Sequence, residues 1–121
     1  MRLFALRGAI TVDRNDRDAI LAGTEELMQE IMARNHVGPD DVVSCIFTCT
    51  GDLNAAFPAT AARNLGFDRV PLLCAQEIDV PGSLRGVIRV LMHYHAADDH
   101  EARHVYLKDA RRLRSDLDAA Q

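Results

Sequence analysis

The feature that most limits the fold is a repeated order, in which a strand-like apolar segment is followed by a helical one. Residues 2–12 (RLFALRGAITV) have apolar residues on both faces of a strand, which predicts a strand buried on both faces. An amphipathic helical pattern follows, and we expect Asn15 to cap it. Two further strands are predicted, at 42–50 and about 70–74, with a second helix at about 58–65 between them. Because parallel strands need a crossover connection, these helices are placed to supply one.

The last third of the chain departs from this alternation. Residues 86–95 (GVIRVLMHYH) are rich in β-branched residues, which favours a strand. Residues 105–107 (VYL) predict a short strand. Strands therefore alternate with helices at first and then pair without them. We predict one α/β or α+β domain over residues 1–121, with a tail that is mobile after about residue 114.

Length and charge limit the classes of function. A chain of 121 residues buries a modest core, so association with further copies is a common source of stability at this size. The net charge of −4 argues against a general nucleic-acid binder, which usually has a basic excess. The N-terminal apolar run is too short for a signal peptide, and no segment approaches a membrane helix in length. We therefore expect a soluble cytoplasmic protein with neither a nucleic-acid nor a membrane partner.

The three cysteines give little sign of covalent chemistry. Cys45 and Cys49 are separated along a predicted strand by roughly 13 Å, too far for a disulfide or a shared metal ion. We expect both to pack as small apolar residues. Cys74 has no histidine beside it in the sequence, which argues against a reactive thiol.

Residues 100–104 (HEARH) match the pattern of zinc hydrolases, in which two histidines lie one helical turn apart around a general base. His100, Glu101 and His104 would then need a third ligand, and His93 or His95 could supply it. The segment between ADD and VYL is too short for a stable helix. A zinc site is therefore an alternative rather than the leading hypothesis.

Two arginines interrupt apolar strand sequence, Arg7 in the first strand and Arg89 in the segment 86–95. A buried guanidinium group is costly unless it is paired, so we expect each to contact an anion. Glu77 is a candidate partner, and a bound carboxylate is the other, since arginine binds carboxylates bidentately. The residues therefore predict a pocket for a small polycarboxylate that has one carboxylate of its own.

Five segments together resemble the chorismate mutase family, in its small trimeric class. They are LRGAITV (6–12), GDLNAAFPA (51–59), VPLLCAQEIDV (70–80), IRVLM (88–92) and RHVYL (103–107). The resemblance runs from about residue 2 to about residue 117. It also makes His104 part of the RHVYL segment, so that the zinc pattern is a coincidence and no metal or other cofactor is expected.

The resemblance implies an α+β (α/β-like) domain with a mixed sheet packed on two helices, which trimerises into a pseudo-α/β barrel with sites between subunits. It also implies a reaction, the rearrangement of chorismate, a dicarboxylate, to prephenate in one pericyclic step of aromatic amino acid biosynthesis. No proton transfer and no covalent intermediate are needed. A related alternative is a non-enzymatic or deaminase-like trimer that binds small metabolites through the same arginines.

The resemblance assigns the central roles residue by residue. Arg89 would donate to the ether oxygen of the substrate, and Arg7 would bind a substrate carboxylate. Tyr106 would donate its phenol to a carboxylate as well. Glu77 would accept from the ring hydroxyl, with Cys74 lying against the same group as a weak partner.

The remaining residues would enclose the substrate. Phe57 and Leu73 would wall the pocket, while Arg63 and Arg114 would close over it. Two positions depart from the family pattern. Thr60 occupies a position at which familiar members of the family have a lysine, and Leu73 one at which they have a threonine. The loss of a lysine at the mouth of the site would weaken the attraction of an anionic substrate.

Overall fold

The computed structural model describes residues 1–114 of the chain. The strands and helices are β1 (Arg2–Thr11), α1 (Arg17–Asn35), β2 (Val42–Cys49), α2 (Pro58–Ala62), β3 (Leu72–Gln76), β4 (Val87–Ala96) and β5 (Val105–Leu107). Every predicted strand and both predicted helices are therefore present. The predicted mobility of the tail concerns residues that lie outside the described part of the chain.

The strands form one mixed sheet of five, in the order β3-β2-β4-β1-β5. Strand β4 is antiparallel to both β1 and β2, while β2 pairs in parallel with β3 and β1 pairs in parallel with β5. Strands β1 and β2 therefore run in the same direction on either side of β4. Each helix connects two strands of equal direction, which confirms the crossovers expected from the sequence.

The start of α1 differs from the prediction by one residue. Asp16, not Asn15, is the N-cap, and its carboxylate accepts the backbone N–H of Ala19 at 2.7 Å. Asn15 instead contacts a distant loop, where its side-chain oxygen accepts the backbone N–H groups of Asn54 and Ala55 at 2.9 and 3.1 Å. The side chain of Asn15 therefore anchors the loop before α2 to the start of α1.

One core joins both helices to the sheet. Helix α1 contributes four fully buried apolar side chains, namely Ile20, Leu27, Met28 and Ile31. They belong to the same cluster as Leu6 and Ile10 of β1, Phe47 of β2 and Met92 of β4. Burial of such side chains stabilises the fold by roughly 1.5–3 kcal/mol each.

The second helix is shorter than the sequence predicts. Its regular part ends at Ala62, and Arg63–Phe67 continue it as a wider π-helical turn. Gly66 lies in the left-handed region with φ of 102°, where a residue without a side chain is favoured and where the helix cannot continue. Strand β3 consequently begins at Leu72 and extends to Gln76, beyond its predicted end, which places Glu77 directly after the strand.

The face of the sheet opposite the core is open except at one end, where Ala9 and Val87 are buried together with Ala110. Alternation along β2 buries Phe47 and leaves Ile46 36% exposed, while Leu73 of β3 is 61% exposed and Leu3 of β1 is 55% exposed. Exposed apolar side chains spread over three strands are typical of a surface that contacts another protein. Among residues 1–114, no helix combines the length and the apolar character that a membrane crossing requires.

The cysteines in β2 pack as the sequence predicts. Cys45 and Cys49 are buried and free, and both belong to the core cluster. Burial raises the pKa of the Cys45 thiol to about 12 and that of Cys49 to about 11. Both thiols are therefore protonated at neutral pH, which suits inert core residues.

Candidate active site

A cavity of about 450 Å³ opens on the uncovered face of the sheet. Its size lies within the range of small-molecule sites. It brings together four of the ten predicted site residues, Arg7, Glu77, Arg89 and Tyr106. It is also lined by Gly8, Ala9, Ile46, Thr48, Val90, Leu91 and Leu113. The cavity therefore combines apolar walls with two guanidinium groups, one carboxylate and one phenol.

The sheet register explains how residues from the two ends of the chain meet. Strand β5 pairs in parallel with β1, so that Tyr106 lies opposite Ala9. On the other side of β1, Arg7 lies opposite Leu91 of β4. Tyr106 and Arg7 consequently flank the same part of the sheet, although 99 positions separate them in the sequence. Pairing of β1 with its two neighbours is thus what assembles this side of the cavity.

Arg89 and Glu77 form an ion pair, which is one of the two kinds of contact that the sequence left open for this arginine. Arg89 Nε lies 3.7 Å from Glu77 Oε1, and their side chains are 44% and 26% exposed. Thr48 lies opposite Arg89 in the pairing of β2 with β4. Its hydroxyl donates a hydrogen bond of 2.6 Å to the same oxygen of Glu77. A backbone hydrogen bond from Glu77 N–H to the carbonyl of Cys49, at 2.9 Å, fixes the start of the loop.

The expectation that Arg7 and Arg89 are buried inside the sheet is wrong in one respect. Both strands are apolar, but these two side chains face the open side, where Arg89 is exposed and Arg7 is half-buried. The guanidinium groups therefore keep part of their hydration in the single chain. Water would be removed from these two groups by a bound ligand or a second molecule, and not by the core of the protein.

The other predicted site residues lie elsewhere. Cys74, Phe57 and Thr60 line a second cavity of about 600 Å³, between β3 and the loop that leads into α2. Leu73 and Arg63 line neither of these two cavities, and both are exposed. Phe57 is 71% exposed, which is unusual for so large an apolar side chain. A single chain therefore presents the predicted set in two separate groups.

Arg114 is the last residue that the structure describes, and its side chain is exposed. It is not part of the lining of either cavity. Leu113, directly before it, does line the first cavity. The C-terminal segment therefore reaches the edge of the site.

The helix that a zinc site at HEARH requires is not formed. Residues 101–104 are in irregular conformation. His100 Nε2 lies 2.7 Å from the hydroxyl of the buried Tyr94, and Phe4 packs edge-on against the His100 ring. His104 Nδ1 accepts the backbone N–H of Arg7 at 2.9 Å. Within residues 1–114, no group of three or more histidine, cysteine, aspartate or glutamate side chains is arranged to hold a metal ion.

Sequence reasoning missed Thr48 and Leu113 as lining residues. The alternation of β2 gives a partial signal, because Ile46 and Thr48 are two residues apart and must share one face. That face could be assigned to the site only with the register of β2 against β4, which places Thr48 beside Arg89.

The sequence belongs to the chorismate mutase type I family, whose model matches residues 3–117. A chorismate mutase AroH of Thermus thermophilus is 48% identical over 118 residues, which are 96% of this chain and 97% of that protein. A chorismate mutase AroH of Bacillus subtilis (strain 168) is 43% identical over 119 residues, 97% of this chain and 94% of that protein.

The fold agrees with this assignment. The solved structure of a chorismate mutase from Clostridium thermocellum superposes with a TM-score of 0.87 and is 50% identical in sequence. The match covers 91% of this chain and 99% of that one. The predicted family and the α+β fold with its mixed sheet are therefore confirmed.

Proposed function

We propose that this protein is a chorismate mutase, an isomerase that converts chorismate to prephenate in the biosynthesis of phenylalanine and tyrosine. The observation that carries the proposal is the cavity that joins Arg7, Glu77, Arg89 and Tyr106 in a member of this family. Two guanidinium groups against one carboxylate leave an excess of positive charge, which suits a dicarboxylate. We also propose that the whole chain acts as one domain. The location of the protein in the cytoplasm stays a prediction.

The proposed reaction explains why the cavity needs no nucleophile. One C–O bond of the substrate breaks while one C–C bond forms, with no proton transfer and no covalent enzyme intermediate. The protein must first fix the flexible enolpyruvyl group over the ring, which removes conformational entropy before the barrier. It must then stabilise the negative charge that grows on the ether oxygen as the C–O bond breaks.

Arg89 is the residue that we assign to the ether oxygen. Its guanidinium group lies in the cavity and is held near Glu77 at 3.7 Å, too far for a short hydrogen bond. Its donors are therefore free to turn toward a ligand. Because the charge on the ether oxygen develops only toward the transition state, this contact raises the rate more than the affinity.

Arg7 and Tyr106 form the side of the cavity that we assign to a substrate carboxylate. Arg7 adds a second guanidinium group on the neighbouring strand, and Tyr106 adds a phenol that can donate. Glu77 would accept a hydrogen bond from the ring hydroxyl on the opposite side. These roles fix the orientation of the substrate across the sheet.

We propose that the active enzyme is a homotrimer in which each site lies between two subunits. The two separate cavities support this, because each holds only part of the set that the family uses. The exposed apolar face with Leu3, Ile46 and Leu73 supplies a surface for subunit contact. In this arrangement one subunit supplies Arg7, Glu77, Arg89 and Tyr106, and its neighbour supplies Phe57, Thr60, Arg63, Leu73 and Cys74.

The neighbour's residues would complete the enclosure of the substrate. Phe57 and Leu73 would provide apolar walls, and Cys74 would lie against the ring hydroxyl as a weak partner of that hydroxyl rather than as a nucleophile. Arg63, and Arg114 from the C-terminal segment, would close the entrance. Thr60 supplies no charge at the mouth of the site. We therefore expect a lower substrate affinity than in members of the family that have a lysine at this position.

The test is a direct assay of the purified protein with chorismate. Loss of the ultraviolet absorbance of chorismate is followed with and without a chelator, and the product is identified by mass spectrometry. Conversion to prephenate at equal rates in both samples is expected. If chorismate is not converted, the proposal is wrong, and the arginine cavity serves another small anion in a non-catalytic or deaminase-like trimer. Conversion that stops with chelator would instead favour a metal site.

A further inference from the structure

We propose that Thr48 is a positioning residue that keeps Glu77 from closing onto Arg89, and so leaves the Arg89 guanidinium group available to the substrate. The inference rests on the proposed chorismate mutase activity. It concerns a residue that lies in the cavity but has no assigned role in the reaction.

Thr48 and Arg89 share one carboxylate oxygen of Glu77. The hydroxyl of Thr48 donates to Glu77 Oε1 at 2.6 Å, and Arg89 Nε lies 3.7 Å from that same oxygen. A hydroxyl bound to a carboxylate at this distance forms a short, charge-assisted hydrogen bond. Both contacts fall on Oε1, so the other carboxylate oxygen of Glu77 remains able to accept from a ligand.

Backbone pairing holds both Thr48 and Glu77 in place. Thr48 is in the regular part of β2, where it lies opposite Arg89 of β4 and opposite Ala75 of β3. Glu77 begins a loop, but its backbone N–H is bound to the carbonyl of Cys49 at 2.9 Å. Thr48, a residue of a regular strand, thus fixes the position of the Glu77 carboxylate in the loop. Supporting contacts of this kind hold the geometry of a site.

Removal of the Thr48 hydroxyl would change the hydrogen bonding of Glu77. Glu77 Oε1 then loses its short hydrogen bond and has the guanidinium group of Arg89 as its nearest strong donor. A carboxylate and a guanidinium group at this separation attract each other, and we expect the pair to close to hydrogen-bonding distance. Arg89 would then be directed toward Glu77 and away from the ether oxygen.

The test compares Thr48→Val, which removes the hydroxyl and keeps the β-branched shape, with Thr48→Ser, which keeps the hydroxyl. We expect Thr48→Val to lower kcat by about ten- to a hundredfold, with a smaller change in KM, because the contact of Arg89 is made in the transition state. Thr48→Ser should restore most of kcat. Ser44→Ala, on the same strand and four residues away, is the matched control and should leave kcat unchanged.

A double-mutant cycle with Glu77→Ala separates positioning from a direct role. If Thr48 acts through Glu77, then Thr48→Val should cause no further loss of kcat in the Glu77→Ala background. An equal loss in both backgrounds, or a Thr48→Val enzyme with the kcat of the parent protein, overturns the inference. Thr48→Ala serves as a second hydroxyl-free variant if Thr48→Val does not fold. Inactivity of the parent protein itself would overturn the proposed function, and this inference with it.

Discussion

The imidazole Nδ1 of His104 accepts a hydrogen bond from the backbone N–H of Arg7 at 2.9 Å. This contact joins the segment before β5 to β1 at the residue whose side chain enters the cavity. Nδ1 can accept only while it carries no proton. The geometry of Arg7 is therefore linked to the protonation state of His104.

This link predicts an acid-sensitive stability. Desolvation of the ring, and then the positive charge of Arg7, lower the pKa of His104 below its usual value. The folded protein thus binds this proton more weakly than the unfolded chain, so the contribution of His104 is present at neutral pH. It is lost as the pH falls from the ordinary histidine value of about 6.5 toward the lowered folded value.

Thermal denaturation of His104→Asn measures this effect, since asparagine keeps an acceptor but cannot titrate. We expect the variant to lose less of its Tm than the parent protein between neutral pH and mildly acidic pH. His104→Leu, which has no acceptor, should have a lower Tm than His104→Asn at neutral pH. Parallel Tm curves of the parent protein and His104→Asn would show that the link does not operate.

Replacement of Arg89 by alanine should lower kcat by about 10²–10³-fold, the usual effect of deleting one donor to a charge that develops in the transition state. KM should change less, because the contact contributes little to ground-state binding. Steady-state kinetics on chorismate measure both constants. Arg69→Ala is the matched control, because Arg69 is exposed and lines neither of the two cavities. Near-normal kcat in Arg89→Ala would exclude the proposed role.

Sites shared between subunits predict complementation. Arg89→Ala removes a residue of the first cavity, and Phe57→Ala/Arg63→Ala removes residues that we assign to the neighbouring subunit. When these two weakly active proteins are unfolded together and refolded, random mixing should produce about one intact site in four. Sedimentation should show a trimer in each case.

The control for complementation is a mixture of Arg89→Ala with Arg7→Ala. Both residues line the same cavity, so every site formed by this pair carries at least one substitution, and activity should stay low. If both mixtures stay inactive, or if a monomeric protein has full activity, the sites are not shared between subunits.

Gly86 should be the glycine least tolerant of a side chain among those in left-handed conformation. Its φ is 67°, and an added Cβ would lie 2.8 Å from the carbonyl oxygen of Val12. The same two residues form a backbone hydrogen bond of 2.9 Å, from Val12 N–H to the carbonyl of Gly86. We expect Gly86→Ala to lower the free energy of unfolding by roughly 1–3 kcal/mol, through strain at this junction.

Gly82→Ala separates the two causes of that loss. Gly82 has a similar φ of 82°, but an added Cβ would meet nothing within 4 Å. It should therefore show backbone strain alone, of about 1 kcal/mol. Denaturation at one fixed protein concentration compares the variants, since association shifts the apparent stability. Equal losses for both variants would mean that the close approach to Val12 has no effect.

The sequence predicted the elements well where the signal was local. The apolar runs of β1, β2 and β4 all follow from periodicity. Errors arose at boundaries, where neighbouring residues compete. Asn15 and Asp16 are both good capping residues, and the choice between them depends on the loop at Asn54, which only the folded chain brings near.

The sequence predicted residue types that the cavity brings together, but not their arrangement. A pair between Arg89 and Glu77 could be anticipated from the cost of an unpaired guanidinium group, and the ion pair is present. The separation of Cys74 and Phe57 from this pair could not be anticipated, because it depends on the order of the strands in the sheet. Composition and spacing carry no information on strand order, so Thr48 was missed for the same reason.

The central position of β4 has a consequence for the order in which the molecule folds. Strands β1 and β2 do not pair with each other and are joined only through residues 87–96, which pair with both. Such non-local pairing is slow, because the entropy of closing long loops is lost before the new contacts stabilise the chain. The strand that joins the two halves of the sheet is also the one that bears Arg89. Until β4 pairs, the guanidinium group of Arg89 is therefore not held beside Glu77, and the same pairing joins the sheet and places Arg89 in the cavity.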